Sequence, residues 1–313
     1  MSDSPIITTA RGPEAIRQNL LINGNFTVWQ RGELFDSGAA GYAADRWYNQ
    51  LSNITWSKLT DNLVGNYMRG ERQTGPAAIN LAQFMELPVA GVAGLGSGDK
   101  VTISGTIRNS GNANFSTSQV RLRWCDDKFF TNPLDTVAYT TFAPEEGWQA
   151  NVWQFFKLTV TLTTDVVDQL ALAVNFRFQD VAAGGRIDFG RLKVEVGDTY
   201  TGEDYEHYAD TLAKCQRYYQ RCPFNTAWVY PSASTKLSQR LRNRGDTGLV
   251  SMVQPFTVNM RVEPTVNARY DIDDGAVADA DVEYTRQNLF SIRQTVNAGS
   301  ILDLDDWQAD ADF

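Results

Sequence analysis

The sequence contains one histidine, His207, and three cysteines, Cys125, Cys215 and Cys222. A Ser-His-Asp or Cys-His mechanism would need this single histidine in a cleft beside a nucleophile, and a zinc site would lack ligands. We therefore expect His207 to be a surface residue and the cysteines to be reduced thiols. A pair of carboxylates for glycoside hydrolysis stays open, because any Asp and Glu could meet in the fold and the sequence alone does not place them. These observations predict a protein that is not an enzyme and needs no cofactor.

Two local patterns are similar to phosphate and calcium sites, but each lacks a required part. The glycine-rich loop 91–98 does not have the spacing of a P-loop, and it leads into a predicted strand instead of a helix. Asp271, Asp273 and Asp274 begin like a calcium loop, but Gly275 occupies the third acidic position and no later Glu completes the pattern. We predict a hairpin turn there and keep these three aspartates only as weak calcium candidates.

Aromatic side chains are the remaining candidates for binding chemistry, because their ring faces stack on sugars while nearby amides and carboxylates bind the hydroxyl groups. The chain has eight tryptophans. Those in apolar, alternating surroundings are expected in a core, whereas three lie in polar or Gly/Glu-rich surroundings: Trp56, Trp148 and Trp153. These three are the predicted glycan-binding candidates. An aromatic that only anchors a loop is the alternative at each position.

The charge distribution disfavours nucleic acid as a partner. The net charge is -9, and residues 271–313 alone contain eleven acidic and two basic residues, so the first 270 residues are neutral overall. Binding to a phosphate backbone requires clustered Lys and Arg. No run of about 18 to 20 apolar residues is present, and the N-terminus does not have the pattern of a signal peptide. We expect no nucleic acid and no membrane insertion.

The segment 201–222, TGEDYEHYADTLAKCQRYYQRC, is the one clearly helical stretch. Thr201 with Asp204 three residues later is typical of a helix start, and Pro223 cannot continue a helix. Apolar and aromatic residues recur at alternating spacings of three and four, as in a coiled-coil seam: Tyr205, Tyr208, Leu212, Cys215, Tyr219 and Cys222. The helix is predicted either to form the seam of a homo-oligomer, a trimer in the first place, or to pack alone on the sheets of its own chain.

Elsewhere, apolar residues alternate with polar ones, which predicts strands. The runs lie at 101–107, 120–124, 156–162, 170–178 and 187–196, and a change of parity near Gly190 predicts a β-bulge. Because no helical segment separates these runs, we predict a mainly β chain with an antiparallel jelly-roll β-sandwich. Further alternation at 249–253, 256–262, 282–284, 290–292 and 307–313 predicts a smaller C-terminal β domain after the helix.

Several runs resemble one family of proteins. LINGNF at 21–26, WQRG at 29–32, ADRW at 44–47 and AKCQRYY at 213–219 are similar to carbohydrate-binding-module-like, galactose-binding-like domains of bacteriophage tail and head fibre proteins. The resemblance covers residues 19 to about 200 and continues through the helix to the ending WQADADF. It implies a jelly-roll sandwich in a virion protein that is assembled in the host cytoplasm.

The predicted organisation is a docking arm at 1–19, the sandwich at 20–200, the connecting helix at 201–222 and the C-terminal β domain at 223–313. The resemblance implies a non-enzymatic virion protein, in the first place a trimeric tail fibre or spike that attaches to host surface glycan. A capsid decoration or head fibre protein, docked on other virion proteins through its N-terminal arm, is the alternative. An enzyme acting on glycan is a third hypothesis, for which the sequence contains no motif.

Overall fold

The computed structural model describes residues 18–37, 40–86, 95–111, 115–125, 136–163, 171–203, 205–221, 240–242, 248–260, 264–272, 278–279, 282–296 and 301–310. The predicted N-terminal arm lies almost wholly outside these residues. The described parts contain twenty strands and one helix. Within them, no helix is long and apolar enough to cross a membrane.

The strands of the N-terminal part precede the helix. They are β1 (Leu34–Ser37), β2 (Gly41–Tyr42), β3 (Tyr48–Asn49), β4 (Ile54–Asp61), β5 (Gly65–Arg72), β6 (Ala77–Glu86), β7 (Lys100–Gly111), β8 (Thr117–Cys125), β9 (Thr136–Thr141), β10 (Gln154–Thr161), β11 (Ala171–Val181) and β12 (Gly185–Val196). The helix α1 (Tyr208–Gln216) follows. After it come β13 (Tyr219–Arg221), β14 (Arg240–Arg242), β15 (Gly248–Pro255), β16 (Thr265–Ile272), β17 (Ala278–Asp279), β18 (Val282–Arg286), β19 (Leu289–Val296) and β20 (Ile301–Asp310).

The first twelve strands form two six-stranded antiparallel sheets. The first sheet has the order β1-β4-β5-β12-β7-β10 and the second sheet has the order β2-β3-β6-β11-β8-β9. One apolar cluster draws residues from both sheets, including Trp56 and Phe189 from the first and Leu122 and Phe176 from the second. Each strand therefore turns one side towards the other sheet and the other side outwards, as alternation requires. The mainly β fold with a jelly-roll β-sandwich and one helix is confirmed.

The β-bulge predicted near Gly190 is also confirmed. The pairing of β12 with β7 shifts register between Gly190 and Lys193. Arg191, inside the bulge, has a positive φ of 51°. Ile187 and Phe189 before the bulge and Leu192 and Val194 after it are all buried, so the extra residue returns the apolar side chains to the core.

The helix is much shorter than predicted, and the predicted extent of 201–222 is wrong. It has nine residues and begins after His207, whose side chain makes no capping hydrogen bond. Thr201 does not cap it, because its hydroxyl donates to Glu195 Oε2 (2.5 Å) and accepts from Lys193 Nζ (3.0 Å). At the other end, residues 219–221 pair with β20 as strand β13. Tertiary contacts on both sides therefore limit a segment whose local pattern favours a longer helix.

The chain after the helix is again β structure. The strands β13, β20, β16 and β17 form one antiparallel sheet, in which β14 also pairs with β20, and β15, β19 and β18 form another. The strands predicted at 249–253, 282–284 and 290–292 are present. The strand predicted at 256–262 is wrong, because 256–260 lies outside every strand and residues 261–263 lie outside the described residues. Phe256 instead packs against Phe290 with ring centres 5.7 Å apart.

Candidate functional site

The residues that carry the sequence resemblance meet in one buried junction. Asn23 donates through Nδ2 to the carbonyl oxygens of Val28 (2.9 Å) and Asp45 (3.1 Å). The Asp45 carboxylate accepts from the backbone N–H of Gln30 (2.9 Å) and from its side-chain amide. Trp47 donates through Nε1 to the Asn23 carbonyl (2.9 Å). Side chains and backbone of the LINGNF, WQRG and ADRW runs thus hold each other in place.

The segment after the helix docks on the same junction. Gln30 Nε2 donates to the Tyr219 carbonyl (2.9 Å), and the Arg31 guanidinium lies 3.7 Å from the centre of the Tyr219 ring. Arg46 lies 3.5 Å from the centre of the Tyr218 ring and donates to the Phe84 carbonyl (2.6 Å). Arg46 and Tyr218 are both almost fully buried. The junction therefore joins the sandwich to the C-terminal part, and its central residues Arg46 and Tyr218 are closed to a ligand.

The three predicted glycan-binding tryptophans lie in three different places. Trp56 has 0% exposure and lies in the core, where Gly70 opposite leaves room for its ring, so it cannot stack on a sugar. The half-buried Trp148 packs edge-on against Phe142 and Phe178, with ring centres 5.9 and 5.8 Å away. The rings of Trp56 and Trp148 are therefore engaged with the protein itself.

Trp153 lies over the outer face of the first sheet. Its ring is 4.4 Å from the Arg108 guanidinium and 5.1 Å from the Tyr67 ring. Arg108 in turn pairs with the buried Asp188 (2.8 Å), which also binds Arg69 (2.7 and 3.0 Å). The charged groups Arg69, Arg108 and Asp188 of this face are therefore paired with one another.

Asp61 lies next to this network on β4. The backbone N–H of Leu63 lowers the pKa of the Asp61 carboxyl most, and the Trp153 indole and the Arg108 guanidinium lower it further. The Arg108 guanidinium is 3.4 Å from the Asp61 carboxylate. Asp61 is therefore a further internal partner of the network, and the first sheet offers few free polar groups to a ligand.

The predicted oligomer seam is divided between the surface and the interior. Tyr205 and Tyr208 are 92% and 55% exposed, whereas Cys215 and Tyr219 are buried by their own chain. Leu212 is half-buried, and Cys222 lies outside the described residues. A continuous coiled-coil seam over three heptads is therefore wrong. His207 is exposed at the start of the helix, as predicted.

The outer face of the second sheet is built differently. Strand registers place one residue from each of five neighbouring strands in a single row: Tyr48, Ala82, Asn175, Arg121 and Tyr139. A parallel row contains Asn80, Arg177, Gln119 and Thr141. We call these nine residues the amide–arginine face. They point outwards because their neighbours in the same strands, such as Leu122 and Phe176, fill the core.

The two ends of the first row are aromatic. Tyr139 is 50% exposed, and Tyr48 is half-buried with its ring 5.1 Å from that of Tyr42. Burial raises the pKa of the Tyr48 hydroxyl above its ordinary value of 10.0, and the neutral hydroxyl can donate a hydrogen bond. Four steps between strands separate the two tyrosines, which is about 19 Å at about 4.8 Å per step. Ala82, which lies between them, is small and fully buried.

Amide side chains form the middle of the face. Asn175 Nδ2 donates to Gln50 Oε1 (3.0 Å), and Arg121 Nη2 donates to Gln119 Oε1 (3.3 Å). The Oδ1 atom of Asn80 is buried, and within the described part of the chain it has no hydrogen-bond partner. Asn80, Asn175 and Gln119 are themselves largely buried. The face combines hydrogen-bonding side chains with aromatic rings, which is the chemistry that recognises sugar hydroxyls.

Sequence reasoning overlooked this face, although part of its signal was available. The runs that predicted β8 and β11 contain the core residues Leu122 and Phe176, and the positions between them hold Arg121, Asn175 and Arg177. Alternation places these polar residues on one face of each strand. It does not show which strands are neighbours, and therefore does not bring the two arginines together.

One further cleft, of about 340 Å³, lies between the first part of the chain and the helix. Its charged residues are already paired: Arg191 with Glu203 (2.9 Å), and Lys214 with Glu206. Lys193, also in its lining, donates to Thr201 and to the Gly202 carbonyl (2.8 Å). The charged residues of the cleft are therefore bound to partners within the chain.

Metal binding receives no support from the described residues. None of them form a cluster of three or more His, Cys, Asp or Glu side chains that could hold an ion. Asp273 and Asp274 lie outside the described residues, and Asp271 lies in β16. The calcium candidates therefore stay a prediction.

The chain matches no protein-family description and no curated protein in sequence. Among solved structures it is similar to the enzymatically active domain of bacteriophage CBA120 tailspike protein 4, at 14% identity over 57% of this chain and 21% of that one, with a TM-score of 0.35. It is similar to the CBM22-2 xylan-binding domain of Paenibacillus barcinonensis Xyn10C, at 9% identity over 48% of this chain and 91% of that one, with a TM-score of 0.34. A putative sugar binding protein from Bacteroides thetaiotaomicron shares 12% identity over 57% of this chain and 100% of that one, with a TM-score of 0.37. The chain spans about a fifth of the tailspike chain.

Proposed function

We propose that this protein binds glycan through the amide–arginine face. The observation that carries the proposal is the row Tyr48, Ala82, Asn175, Arg121 and Tyr139, which places an aromatic ring at each end of a strip of polar side chains. Rings at the two ends support sugar rings by stacking, while the amides and the guanidinium between them bind hydroxyl groups.

Binding without hydrolysis is the better interpretation of this face. None of its nine residues is an Asp or Glu, so the face itself supplies neither the nucleophile nor the general acid that glycoside hydrolysis requires. We therefore propose a non-enzymatic role at this surface.

We further propose that the protein acts on a bacteriophage particle, as a fibre or spike that attaches to host surface glycan. The support is the resemblance of the runs at 21–32, 44–47 and 213–219 to phage fibre proteins. A homo-oligomer, in the first place a trimer, belongs to the same proposal. Tyr205 and Tyr208 are the exposed part of the predicted seam and the residues through which copies would meet.

The binding proposal is tested by screening the purified protein on an array of bacterial surface glycans and then measuring the affinity of Tyr139→Ala for a glycan that binds. Tyr139→Ala should weaken binding about tenfold, because losing one aromatic anchor costs about 1.4 kcal/mol or more. Phe155→Ala is the matched control, since Phe155 is 44% exposed on the first sheet and should leave affinity unchanged. Equal losses for both variants, or no glycan bound by the wild type, would refute the proposal.

The oligomer is tested by light scattering on the full chain. The double variant Tyr205→Asp and Tyr208→Asp should dissociate a trimer into monomers. The control Leu63→Asp, at an exposed apolar residue on another turn, should not. A wild-type protein that is monomeric at all concentrations would contradict this part of the proposal.

A further inference from the structure

The arginines of the amide–arginine face differ from those of the first sheet in their partners. On the first sheet, Arg69 and Arg108 both bind Asp188, and Arg186 pairs with Glu71 (2.8 Å). On the second sheet, neither Arg121 nor Arg177 forms an ion pair with any described residue. The Nε atoms of both are buried and have no hydrogen-bond partner in the described part of the chain.

The two guanidinium groups also lie close together. Arg121 and Arg177 occupy neighbouring strands, two residues apart in register and therefore on the same face, since Arg121 is opposite Asn175 and Arg177 is opposite Gln119. Burial lowers the pKa of Arg177 first, and the positive charge of Arg121 lowers it further, while Tyr139 and Asp180 act in the opposite direction. Two like charges at the edge of a desolvated surface cost stability unless an anion lies between them.

The surroundings of the pair suit a sugar that carries an anionic group. The Arg121 guanidinium is 4.9 Å from the centre of the Tyr139 ring, so its position is held by the aromatic side chain that would stack on the neighbouring sugar. Gln119 accepts from Arg121 and also from Gln179 Nε2 (3.0 Å), which orients both the amide and the guanidinium. Planar guanidinium groups with free N–H donors bind carboxylate and sulfate oxygens with two hydrogen bonds each.

We propose that the glycan bound by the amide–arginine face is acidic, and that its carboxylate or sulfate group lies between Arg121 and Arg177. This inference rests on the proposed function. It adds the chemical class of the ligand, because a neutral sugar would leave the positive charge of the two neighbouring guanidinium groups without a counter-charge.

The test begins with an array of glycans in matched acidic and neutral pairs, bound at low and at high salt. The acidic members should bind at least tenfold more tightly, and the difference should shrink as salt rises, because ions screen the charge of the pair. For the glycan that binds best, chemical reduction of its carboxyl groups and removal of its sulfate groups distinguish the two sources of charge. One of these treatments should abolish binding.

Variants then locate the anionic group. Arg177→Gln and Arg121→Gln should each lower affinity for the acidic glycan at least tenfold and lower the salt dependence. Arg186→Gln, on the outer face of the first sheet, is the matched control and should change neither. Arg177→Gln should also leave the urea unfolding midpoint at or above that of the wild type, because it relieves repulsion and breaks no described ion pair.

The outcomes distinguish a failure of the acidic-ligand inference from a failure of the proposed glycan-binding function. If neutral and acidic glycans bind equally and Tyr139→Ala weakens both while Arg177→Gln weakens neither, the face binds glycan and the acidic ligand is wrong. If Arg177→Gln lowers the unfolding midpoint, the guanidinium has a structural role and the inference is again overturned. If no glycan binds at all, both the inference and the proposed function fail.

Discussion

Replacing Arg46 by Met tests whether the junction holds the segment after the helix on the sandwich. The guanidinium of Arg46 is buried, lies 3.5 Å from the centre of the Tyr218 ring and donates to the Phe84 carbonyl at 2.6 Å. Methionine fills a similar volume but provides neither the charge nor the donor. The substitution therefore removes a desolvated cation–π contact and leaves a buried carbonyl with one partner fewer.

The magnitude follows from these two contacts. A desolvated cation–π contact contributes about 2 kcal/mol, and a hydrogen bond from a charged donor contributes about 1.5–3 kcal/mol. Since the uncharged side chain no longer carries the cost of burying a charge, we expect a net loss of about 3 kcal/mol in the free energy of unfolding. With a urea dependence of about 1–3 kcal/mol per molar, the unfolding midpoint should fall by about 1–3 M.

The assay is urea unfolding followed by tryptophan fluorescence, with Arg46→Met, Tyr218→Leu and the double variant. The double-mutant cycle should give a coupling energy of about 1–2 kcal/mol between the two side chains, since they are in direct contact. Arg186→Met is the control, because its side chain is 39% exposed and its ion pair contributes about 1 kcal/mol or less. A coupling energy within about 0.5 kcal/mol of zero, or an equal loss in the control, would refute the reasoning.

Three further substitutions test the sandwich itself. Asp188→Asn should lower the free energy of unfolding by about 3–5 kcal/mol, because it leaves two guanidinium groups around a neutral amide. The control Asp198→Asn changes an exposed carboxylate and should cost far less. Similar urea midpoints for the two variants would contradict this prediction. Gly70→Val should lower the free energy of unfolding by about 1–3 kcal/mol by overpacking the core. Even a Cβ atom at this position would lie 2.7 Å from the Trp56 ring. An unchanged melting temperature would argue against this contact. Asp61 has a pKa below its ordinary value of 3.8, so its contribution to stability is present above pH 3.8 and is lost as pH falls through the lower folded value. In Asp61→Asn the melting temperature should therefore fall less steeply below pH 3.8 than in the wild type. An unchanged dependence of melting temperature on pH would count against the interaction.

Alternation in the sequence was sufficient for the strands of the sandwich. Strands β7, β8, β10, β11 and β12 fall where the runs of alternating apolar residues predicted them. The bulge at Gly190 was visible as a change of parity in the same pattern. Both succeed because the side chains of a strand alternate with a period of two, which is a local property that needs no knowledge of partners.

The helix and the tryptophans show where local patterns are insufficient. The seam spacing continues to Tyr219, but that residue pairs with Asp310 in a strand, and a partner almost a hundred residues away cannot be seen in the periodicity. Trp56 stands among polar residues in the sequence, yet it fills the core because its strand faces Gly70. In both cases the tertiary partner, and not the neighbouring residues, decides the outcome.

The sequence by itself thus determined the class of fold and most strands of the sandwich, because hydrophobic alternation reports directly which side of a strand is buried. Only the tertiary structure decided that the family-like runs form a buried junction and that the first sheet pairs its own charges. It also decided that Arg121 and Arg177 lie on neighbouring strands, where neither forms an ion pair with any described residue. The physical reason is that charge pairing and stacking act between side chains on different strands. Their partners are set by strand order and register, which no single stretch of sequence contains.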